Sequence, residues 1–215
     1  MPKTPTFFIE HQYWSQGVSN IAGLDEAGMG ALAGPVVAGA VVFSESALEK
    51  ITDNAKKIPI RDSKLLSDKQ REKAYGFILS IADSYAVGQA SVQEIDAINI
   101  RNASHMAMRR AIENLASIPD MLLIDGTSTT VHDTIFSLCI IKGDQLSYSI
   151  AAASILAKVT RDNIMKDIDI TYPQYGFASH KGYGAKQHMD MLEQYGATPA
   201  HRRSYAPVAR VLSPN

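Results

Sequence analysis

Short apolar runs separated by small residues predict a set of β-strands. Residues 21–24 and the valine-rich residues 35–43 flank a glycine-rich segment, which is typical of two strands joined as a hairpin. An alternating pattern at residues 85–92 predicts a further strand, and the apolar runs at residues 121–126 and 135–144 predict two buried ones. The last two runs each contain, at their end, an aspartate next to a glycine.

Helical patterns lie between and after these strands. Ser67 precedes Asp68 and a segment with apolar residues at helical spacing, so it is the predicted N-cap of a helix. Residues 95–115 predict a second helix, and the alanine-rich residues 149–168 give the strongest helical pattern in the chain. A short helix is predicted at residues 185–195.

Strands and helices mixed in this order predict an α/β domain. We expect a mixed central sheet flanked by helices, followed by a C-terminal helical extension. The expected division is an N-terminal segment at residues 1–20, a core at residues 21–170 and an extension at residues 171–215.

Composition narrows the functional classes. The chain has 215 residues, of which 46% are hydrophobic and 20% charged, as in an ordinary globular protein. The longest apolar run, residues 33–43, is too short to cross a bilayer, and the N-terminus lacks the layout of a signal peptide, so we expect a cytoplasmic protein without membrane contact. Cys139, the only cysteine, lies in an apolar run and is expected to be a small buried hydrophobe. The net charge of −1 shows no overall excess of basic residues of the kind that nucleic-acid binding normally requires, although the residues after position 171 are more basic than the rest.

Carboxylates follow three of the strand-like runs. Asp25 and Glu26 come after residues 21–24, Asp125 ends the run MLLI, and Asp144 ends the run IIKG. Side chains beyond strand ends meet at one edge of an α/β sheet, so these four acids are expected to share a crevice. Hard divalent cations with oxygen ligands would offset their mutual repulsion. We expect β-structure to stop before Asp25, because neighbours on a regular strand point to opposite faces.

Glycines Gly28 and Gly30 are expected to supply that break in the strand. Other aspartates lack an apolar run before them or lie on a helix face, and are expected to be ordinary solvated acids: Asp133, Asp162, Asp167 and Asp169.

Two alternatives to metal-dependent chemistry fit the sequence less well. Gly28, Gly30 and Gly34 loosely match a dinucleotide-binding fingerprint, but that pattern must open a helix, whereas Pro35 and the valines predict a strand. No Gly-Lys-Ser/Thr follows, so a phosphate-binding P-loop is excluded. Carboxylate-bound metals that activate water for phosphodiester cleavage fit the pattern better.

The motifs of this chain resemble those of the bacterial ribonucleases HII, or type 2 ribonucleases H. The resemblance covers residues 23–208 in the family's order, through GLDEAGMGALAGPVVAGAVV, DSKLLS, LLIDG, IIKGD, SIAAASILAKVTRD, YPQYGFASHKGYGAKQH and ATPAHRRSYAPV. It implies a ribonuclease H-like fold and metal-dependent endonuclease action, with Mn²⁺ or Mg²⁺, on RNA within duplexes that contain DNA. The family's four metal-binding acids fall on Asp25, Glu26, Asp125 and Asp144.

The resemblance also implies which residues contact nucleic acid. The glycine turn, Gly28, Met29 and Gly30, would read the ribose 2′-hydroxyl through its backbone, and Tyr183 would hydrogen-bond the same hydroxyl. Met29 stands where the family usually has arginine, so we expect intact chemistry with weaker or more salt-sensitive junction binding. Leu65 likewise replaces a common lysine.

Basic residues in these motifs are predicted to contact phosphates: Lys64, Lys158 and Arg161. For Arg202 and Arg203, phosphate binding and a structural role both stay open. The expected reaction is hydrolysis of the phosphodiester on the 5′ side of a ribonucleotide, in a hybrid or in duplex DNA, leaving 3′-hydroxyl and 5′-phosphate ends. The expected protein is a monomer, and a hybrid-binding module without catalysis is the competing hypothesis.

Overall fold

A computed structural model describes residues 4–127 and 131–213 of the chain. Its strands are β1 (Ile21–Ala27), β2 (Val36–Val42), β3 (Ser84–Ala90), β4 (Met121–Asp125) and β5 (Phe136–Ile140). Its helices are α1 (Phe8–Trp14), α2 (Ser46–Asn54), α3 (Asp68–Ile81), α4 (Val92–Glu113), α5 (Tyr148–Thr171), α6 (Phe177–His180), α7 (Lys186–Tyr195) and α8 (Ala206–Leu212). Single 3₁₀ turns lie at Ser63–Leu65, Gly143–Gln145 and Pro173–Tyr175.

The five strands form one mixed sheet in the order β3-β2-β1-β4-β5. β1 and β2 pair antiparallel, which confirms the predicted hairpin, and β2 pairs antiparallel with β3. β1, β4 and β5 run parallel to one another. The carboxyl ends of these three parallel strands therefore lie at the same edge of the sheet.

Helices α4 and α5 cover opposite faces of this sheet. Leu24 packs in a buried cluster with residues of α4 that include Ala107. On the other face Gly23 meets the backbone of α5, where a Cβ at position 23 would lie 2.2 Å from the Ser149 carbonyl carbon. Only glycine allows this approach, so α5 sits directly on the central strand and delivers its side chains close to the sheet edge.

The predicted helix starts agree with local capping chemistry. Ser67 accepts a hydrogen bond from the Gln70 backbone N–H and completes a capping box at the start of α3, as predicted. α4 begins earlier than predicted because Ser91 and Glu94 form a second capping box. Within α4, Asn99 has φ 66° and ψ 163° and interrupts the helix, and its side chain accepts a hydrogen bond from the Asn102 N–H at 3.1 Å.

The segments before and after the sheet pack against α5. Helix α1 was not predicted from the sequence pattern. Its Glu10 is buried and accepts hydrogen bonds from the Ser147 hydroxyl at 2.7 Å and the Ser149 N–H at 3.1 Å.

The C-terminal helices confirm the predicted helical extension, and α7 matches its predicted range. Cys139 is partly buried against the core, close to the expectation for this residue. Within the two described ranges, no helix is long and apolar enough to span a membrane.

Candidate active site at the edge of the sheet

The four acids selected from the sequence lie at the carboxyl ends of the three parallel strands. Asp25 and Glu26 are in β1, Asp125 is the last residue of β4, and Asp144 lies in the 3₁₀ turn that follows β5. A short hydrogen bond ties two of these segments together, because the Gly143 N–H donates to Asp125 Oδ1 at 2.6 Å. The structure therefore brings together the acids that the sequence placed in one crevice.

The expected route by which Asp25 and Glu26 converge is wrong. β1 does not stop at Leu24 but continues to Ala27, with Glu26 paired to Ala38 of β2. The two side chains consequently point to opposite faces, Asp25 hydrogen-bonding Ser154 of α5 and Glu26 hydrogen-bonding Ser104 of α4. Repulsion from Glu26 nevertheless raises the pKa of Asp25, and the charge of Asp125 at the end of the next strand raises the pKa of both acids.

Burial and mutual repulsion raise the pKa values of three of these acids. Burial, followed by repulsion from Glu26 and Asp125, raises the pKa of Asp25 well above its usual value. Burial and the Asp125 charge raise the pKa of Glu26 to about 7. Burial, with repulsion from Asp62 and Asp125, raises the pKa of Asp144 to about 6. An additional positive charge at this edge would relieve the repulsion and favour the ionised forms.

Lys64 supplies one positive charge from the 3₁₀ turn Ser63–Leu65. Burial alone would lower its pKa, but the combined attraction of Asp25, Asp62 and Asp144 outweighs this effect and raises it. Lys64 also lowers the pKa of Glu26. Lys64, which the sequence predicted to contact phosphates, therefore lies next to the acids.

Asp62 is a fifth carboxylate of the site that the sequence pattern missed. It is 9% exposed, accepts a hydrogen bond from the Lys64 N–H at 3.0 Å and contacts Gln145 Nε2 at 3.4 Å. The available signal was an N-cap aspartate in the motif DSKLLS. No apolar strand ends at Asp62, so the rule that found the other acids did not find it.

The chemistry of these side chains fits a hard divalent cation. All the donors are carboxylate oxygens, the ligand type that Mg²⁺ and Mn²⁺ prefer. Within residues 4–127 and 131–213, no three acidic, histidine or cysteine side chains are already grouped as a ready-made metal cage. Mg²⁺ does not require such a cage, because it keeps several waters and is bound through one or two carboxylates together with substrate phosphates.

Two buried arginines, Arg161 and Arg202, support the glycine turn after β1. Arg161 donates to the carbonyls of Ala33, Pro35 and Lys181 at 2.9–3.0 Å. Gly28 has φ +100°, and a Cβ there would lie 2.0 Å from Arg161 Nε, so the turn requires glycine at this position. Arg161 is fully buried, and burial lowers its pKa to about 10. This geometry favours a structural role for Arg161 over the direct phosphate contact that the sequence predicted.

Arg202 completes the support of the turn. It is also fully buried and donates to the carbonyls of Met29, Gly34 and Pro35 at 3.0–3.2 Å. The burial of Arg202 therefore favours a structural role over phosphate binding. Arg203 is exposed, and its backbone N–H donates to Asp96 at 2.9 Å.

Lys158 and Asp162 differ from the expectations for them. Lys158 Nζ donates to Asp162 Oδ1 at 2.6 Å, and both side chains are mostly buried. Asp162 is thus not an ordinary solvated acid, whereas Asp133 and Asp167 are exposed as expected. Lys158 would have to leave this ion pair before it could contact a phosphate.

Tyr183 lies next to Arg161. The residue is 38% exposed, and the Arg161 guanidinium covers its ring at 5.4 Å from the ring centroid. The buried His188 bonds the Tyr183 carbonyl through Nδ1 at 2.8 Å, and its Nε2 lies 3.1 Å from His201 Nε2. The extension thereby fixes the backbone of Tyr183 beside the glycine turn.

The raised pKa of Glu26 gives a testable pH dependence. A carboxyl that is harder to ionise in the folded state destabilises the fold increasingly as pH rises from its unfolded pKa, near 4, through its folded pKa, about 7. We therefore expect Glu26→Gln to raise the unfolding free energy of the metal-free protein, with the gain growing by about 2 kcal/mol between pH 5 and pH 8. Denaturant unfolding in chelator at both pH values measures this difference.

Comparing the variant with wild type at each pH removes the contribution of the histidines. Asp133→Asn, at an exposed acid, is the matched control and should show no such growth. A Glu26→Gln effect that is the same at pH 5 and pH 8 would contradict the raised pKa.

The fold is shared with a solved ribonuclease H. The crystal structure of the ribonuclease H2 from Pyrococcus horikoshii OT3 superimposes with a TM-score of 0.75, at 27% identity, over 89% of this chain and 96% of that one. The fold and the acid-lined sheet edge thus define the class of the protein, a ribonuclease H.

Sequence comparisons narrow the class to one family. The family model for ribonuclease HII matches residues 22–208. Ribonuclease HII from Myxococcus xanthus (strain DK1622) is 49% identical over 204 residues, 95% of this chain and 67% of the relative. Ribonuclease HII from Clostridioides difficile (strain 630) is 47% identical over 197 residues, 92% and 74% respectively. The chain belongs to the ribonuclease HII family, and the resemblance noted in its motifs is confirmed.

Proposed function

We propose that this protein hydrolyses the phosphodiester on the 5′ side of a ribonucleotide, both in RNA/DNA hybrids and in duplex DNA with embedded ribonucleotides. The products would carry 3′-hydroxyl and 5′-phosphate ends. The observation that carries the proposal is the meeting of Asp25, Glu26, Asp125 and Asp144 at one sheet edge, in a chain of the ribonuclease HII family. The implied role is excision of misincorporated ribonucleotides and removal of hybrid RNA.

The four acids would act as the ligands of Mn²⁺ or Mg²⁺. When bound, the metal supplies an activated water and stabilises the charge that develops on the phosphate. The protein's own contribution is to hold the carboxylates from three strands at one sheet edge, where Lys64 favours the ionised forms of Glu26 and Asp144. The raised pKa values of Glu26 and Asp144 mean that ionisation, and with it metal affinity, should increase above pH 6–7.

Substrate recognition is assigned to the glycine turn and Tyr183. Gly28, Met29 and Gly30 would meet the ribose through backbone groups, while Arg202 bonds the Met29 carbonyl from the buried side and Arg161 bonds the Ala33 carbonyl beyond the turn. Tyr183 has an exposed ring beside that turn and a hydroxyl suited to the ribose 2′-hydroxyl. In this way the extension at residues 171–215 would contribute to substrate binding.

The basic residues are assigned different parts. Lys64, next to the acids, would contact the phosphate backbone, and Lys158 would do so only after release from Asp162. Arg161 would act indirectly by holding the turn. Since one chain carries both the acids and the recognition turn, we propose a monomer that acts on chromosomal DNA in the cytoplasm.

The deciding experiment compares two labelled duplexes, one DNA duplex with a single embedded ribonucleotide and one all-RNA/DNA hybrid. Each is incubated with Mg²⁺, with Mn²⁺ and with chelator. We expect metal-dependent cleavage at the 5′ side of the lone ribonucleotide and cleavage of the hybrid. Cleavage of the long hybrid alone would keep the metal chemistry but contradict junction recognition. Binding without any cleavage would replace the proposal with the hybrid-binding module.

A further inference from the structure

A cleft of about 320 Å³ extends from Glu26 and Asp125 to Met29. It is bounded by β1 and the following turn on one side and by α4 on the other, and its lining includes Glu26, Met29, Arg101, His105 and Asp125. The cleft is open and partly polar, so it can admit a segment of sugar-phosphate backbone that passes the acids. The α4 side of this cleft includes none of the four acids and none of the predicted nucleic-acid-binding residues.

Arg101 brings an exposed guanidinium to that wall. The side chain lies on the surface, and among the ion pairs within residues 4–127 and 131–213 none involves Arg101. Ser104 and Met108, three and seven positions further along α4, line the same cleft, which shows that this helix face is directed into it. Ser104 also hydrogen-bonds Glu26, so the face is in register with the acids.

The break in α4 explains why Arg101 occupies this position. Asn99 adopts the left-handed φ of 66°, which a non-glycine residue rarely does, and its side chain caps the helix that follows. Without this interruption the residues after Asn99 would continue the first helical segment at a different rotation. The local geometry therefore orients Arg101, Ser104 and Met108 toward the acids.

Charge in the cleft is otherwise unfavourable for a phosphate. Glu26 and Asp125 are acidic, and Met29 contributes only a neutral thioether. His105 does not compensate, because burial and the nearby Arg101 and Arg109 lower its pKa and favour the neutral imidazole. A planar guanidinium can bind phosphate oxygens in a bidentate manner, which a methionine cannot do.

We propose that Arg101 is a phosphate-binding residue of this cleft and supplies from α4 the positive charge that position 29 of the turn lacks. The proposal rests on the proposed action on nucleic acid. It replaces the expectation that Met29 leaves the junction weakly bound, since a second wall of the same cleft provides the contact. Arginine at position 29 and arginine at position 101 would then serve one phosphate and be largely redundant.

The test is a cycle of four proteins: wild type, Arg101→Gln, Met29→Arg and the double variant. Binding of the duplex with one embedded ribonucleotide is measured in chelator over a series of salt concentrations, and cleavage is measured with Mn²⁺. Arg101→Gln should weaken binding about fivefold to tenfold and reduce the slope of log affinity against log salt by about one. Met29→Arg should restore affinity and slope in the double variant to near the wild-type values.

Arg109→Gln is the matched control, because Arg109 is an exposed arginine of the same helix outside the cleft lining. It should change the salt slope little. An unchanged slope in Arg101→Gln, or the same loss with and without Met29→Arg, would overturn the proposal even if cleavage is normal. Absence of cleavage in all four proteins, with the expected slopes, would instead refute the proposed nuclease function and leave the phosphate site intact.

Discussion

Replacing Asp25 with asparagine should reduce cleavage of both duplexes by at least about a hundredfold, while making the metal-free protein more stable. Removing a residue that only orients a metal ligand already costs about tenfold to a hundredfold, so loss of the charge of a proposed ligand should cost more. Asparagine keeps the side-chain oxygen that accepts the Glu26 N–H at 2.7 Å, so the local geometry is retained. The variant separates catalysis from folding for this reason.

The gain in stability has an electrostatic cause. Asp25 is buried, and the surrounding carboxylates disfavour its ionised form. Removing the charge should raise the unfolding free energy at pH 8 in chelator. Cleavage rates with Mn²⁺ and denaturant unfolding in chelator measure the two effects. Asp133→Asn is the control, since this acid is exposed, and it should change neither quantity.

Either of two results would contradict this account of Asp25. Full cleavage by Asp25→Asn would remove Asp25 from the proposed metal-binding acids. A large loss of stability would mean that the hydrogen bonds of Asp25 stabilise the fold more than its buried charge destabilises it. The control distinguishes both results from a general effect of removing an aspartate.

Replacing Arg161 with methionine should destabilise the protein by about 3 kcal/mol and also weaken substrate binding. Methionine fills a similar volume but leaves the carbonyls of Ala33, Pro35 and Lys181 without their donor, and each unsatisfied buried group costs about 1–3 kcal/mol. The glycine turn and the segment before Tyr183 would both lose their common support. Denaturant unfolding and binding of the embedded-ribonucleotide duplex measure the two losses.

Arg161→Met also tests the phosphate contact first predicted for this residue. If Arg161 is structural, Arg161→Met should lower stability and leave the salt dependence of binding nearly unchanged. If Arg161 contacts phosphate directly, the variant should have normal stability and a salt slope reduced by about one. Arg210→Met, at an exposed arginine of α8, is the matched control and should leave stability within about 0.5 kcal/mol of wild type.

The acids could be located from the sequence because they follow a local rule. An apolar run that ends in a carboxylate is visible in the chain, and parallel strands bring their carboxyl ends to one edge. That reasoning found Asp125 and Asp144 where the structure has them. It gave the wrong path for Asp25 and Glu26, because the pairing of β1 with β2 extends the strand through both residues.

Residues whose role depends on distant partners were harder to predict. Arg161 is charged and lies in a helix, which is typical of a surface position. Its burial depends on carbonyls contributed by residues 33 and 35 and by residue 181, far from it in the chain. Asp62 was missed for the same reason, since its effect on Asp144 spans 82 positions and its local N-cap pattern does not indicate a place among the acids.

Local patterns in the chain were sufficient for the strands, most helices, the family and the identity of the four acids, because strand periodicity, capping residues and motif spacing are properties of neighbouring residues. Tertiary structure alone decided that Asp25 and Glu26 reach the site from opposite faces, that two arginines support the glycine turn, and that Arg101 lines the cleft beside Met29. Each of these depends on which side of the sheet a helix packs and on contacts between residues far apart in sequence. Burial then converts those contacts into pKa shifts and fixed geometry that no local pattern encodes.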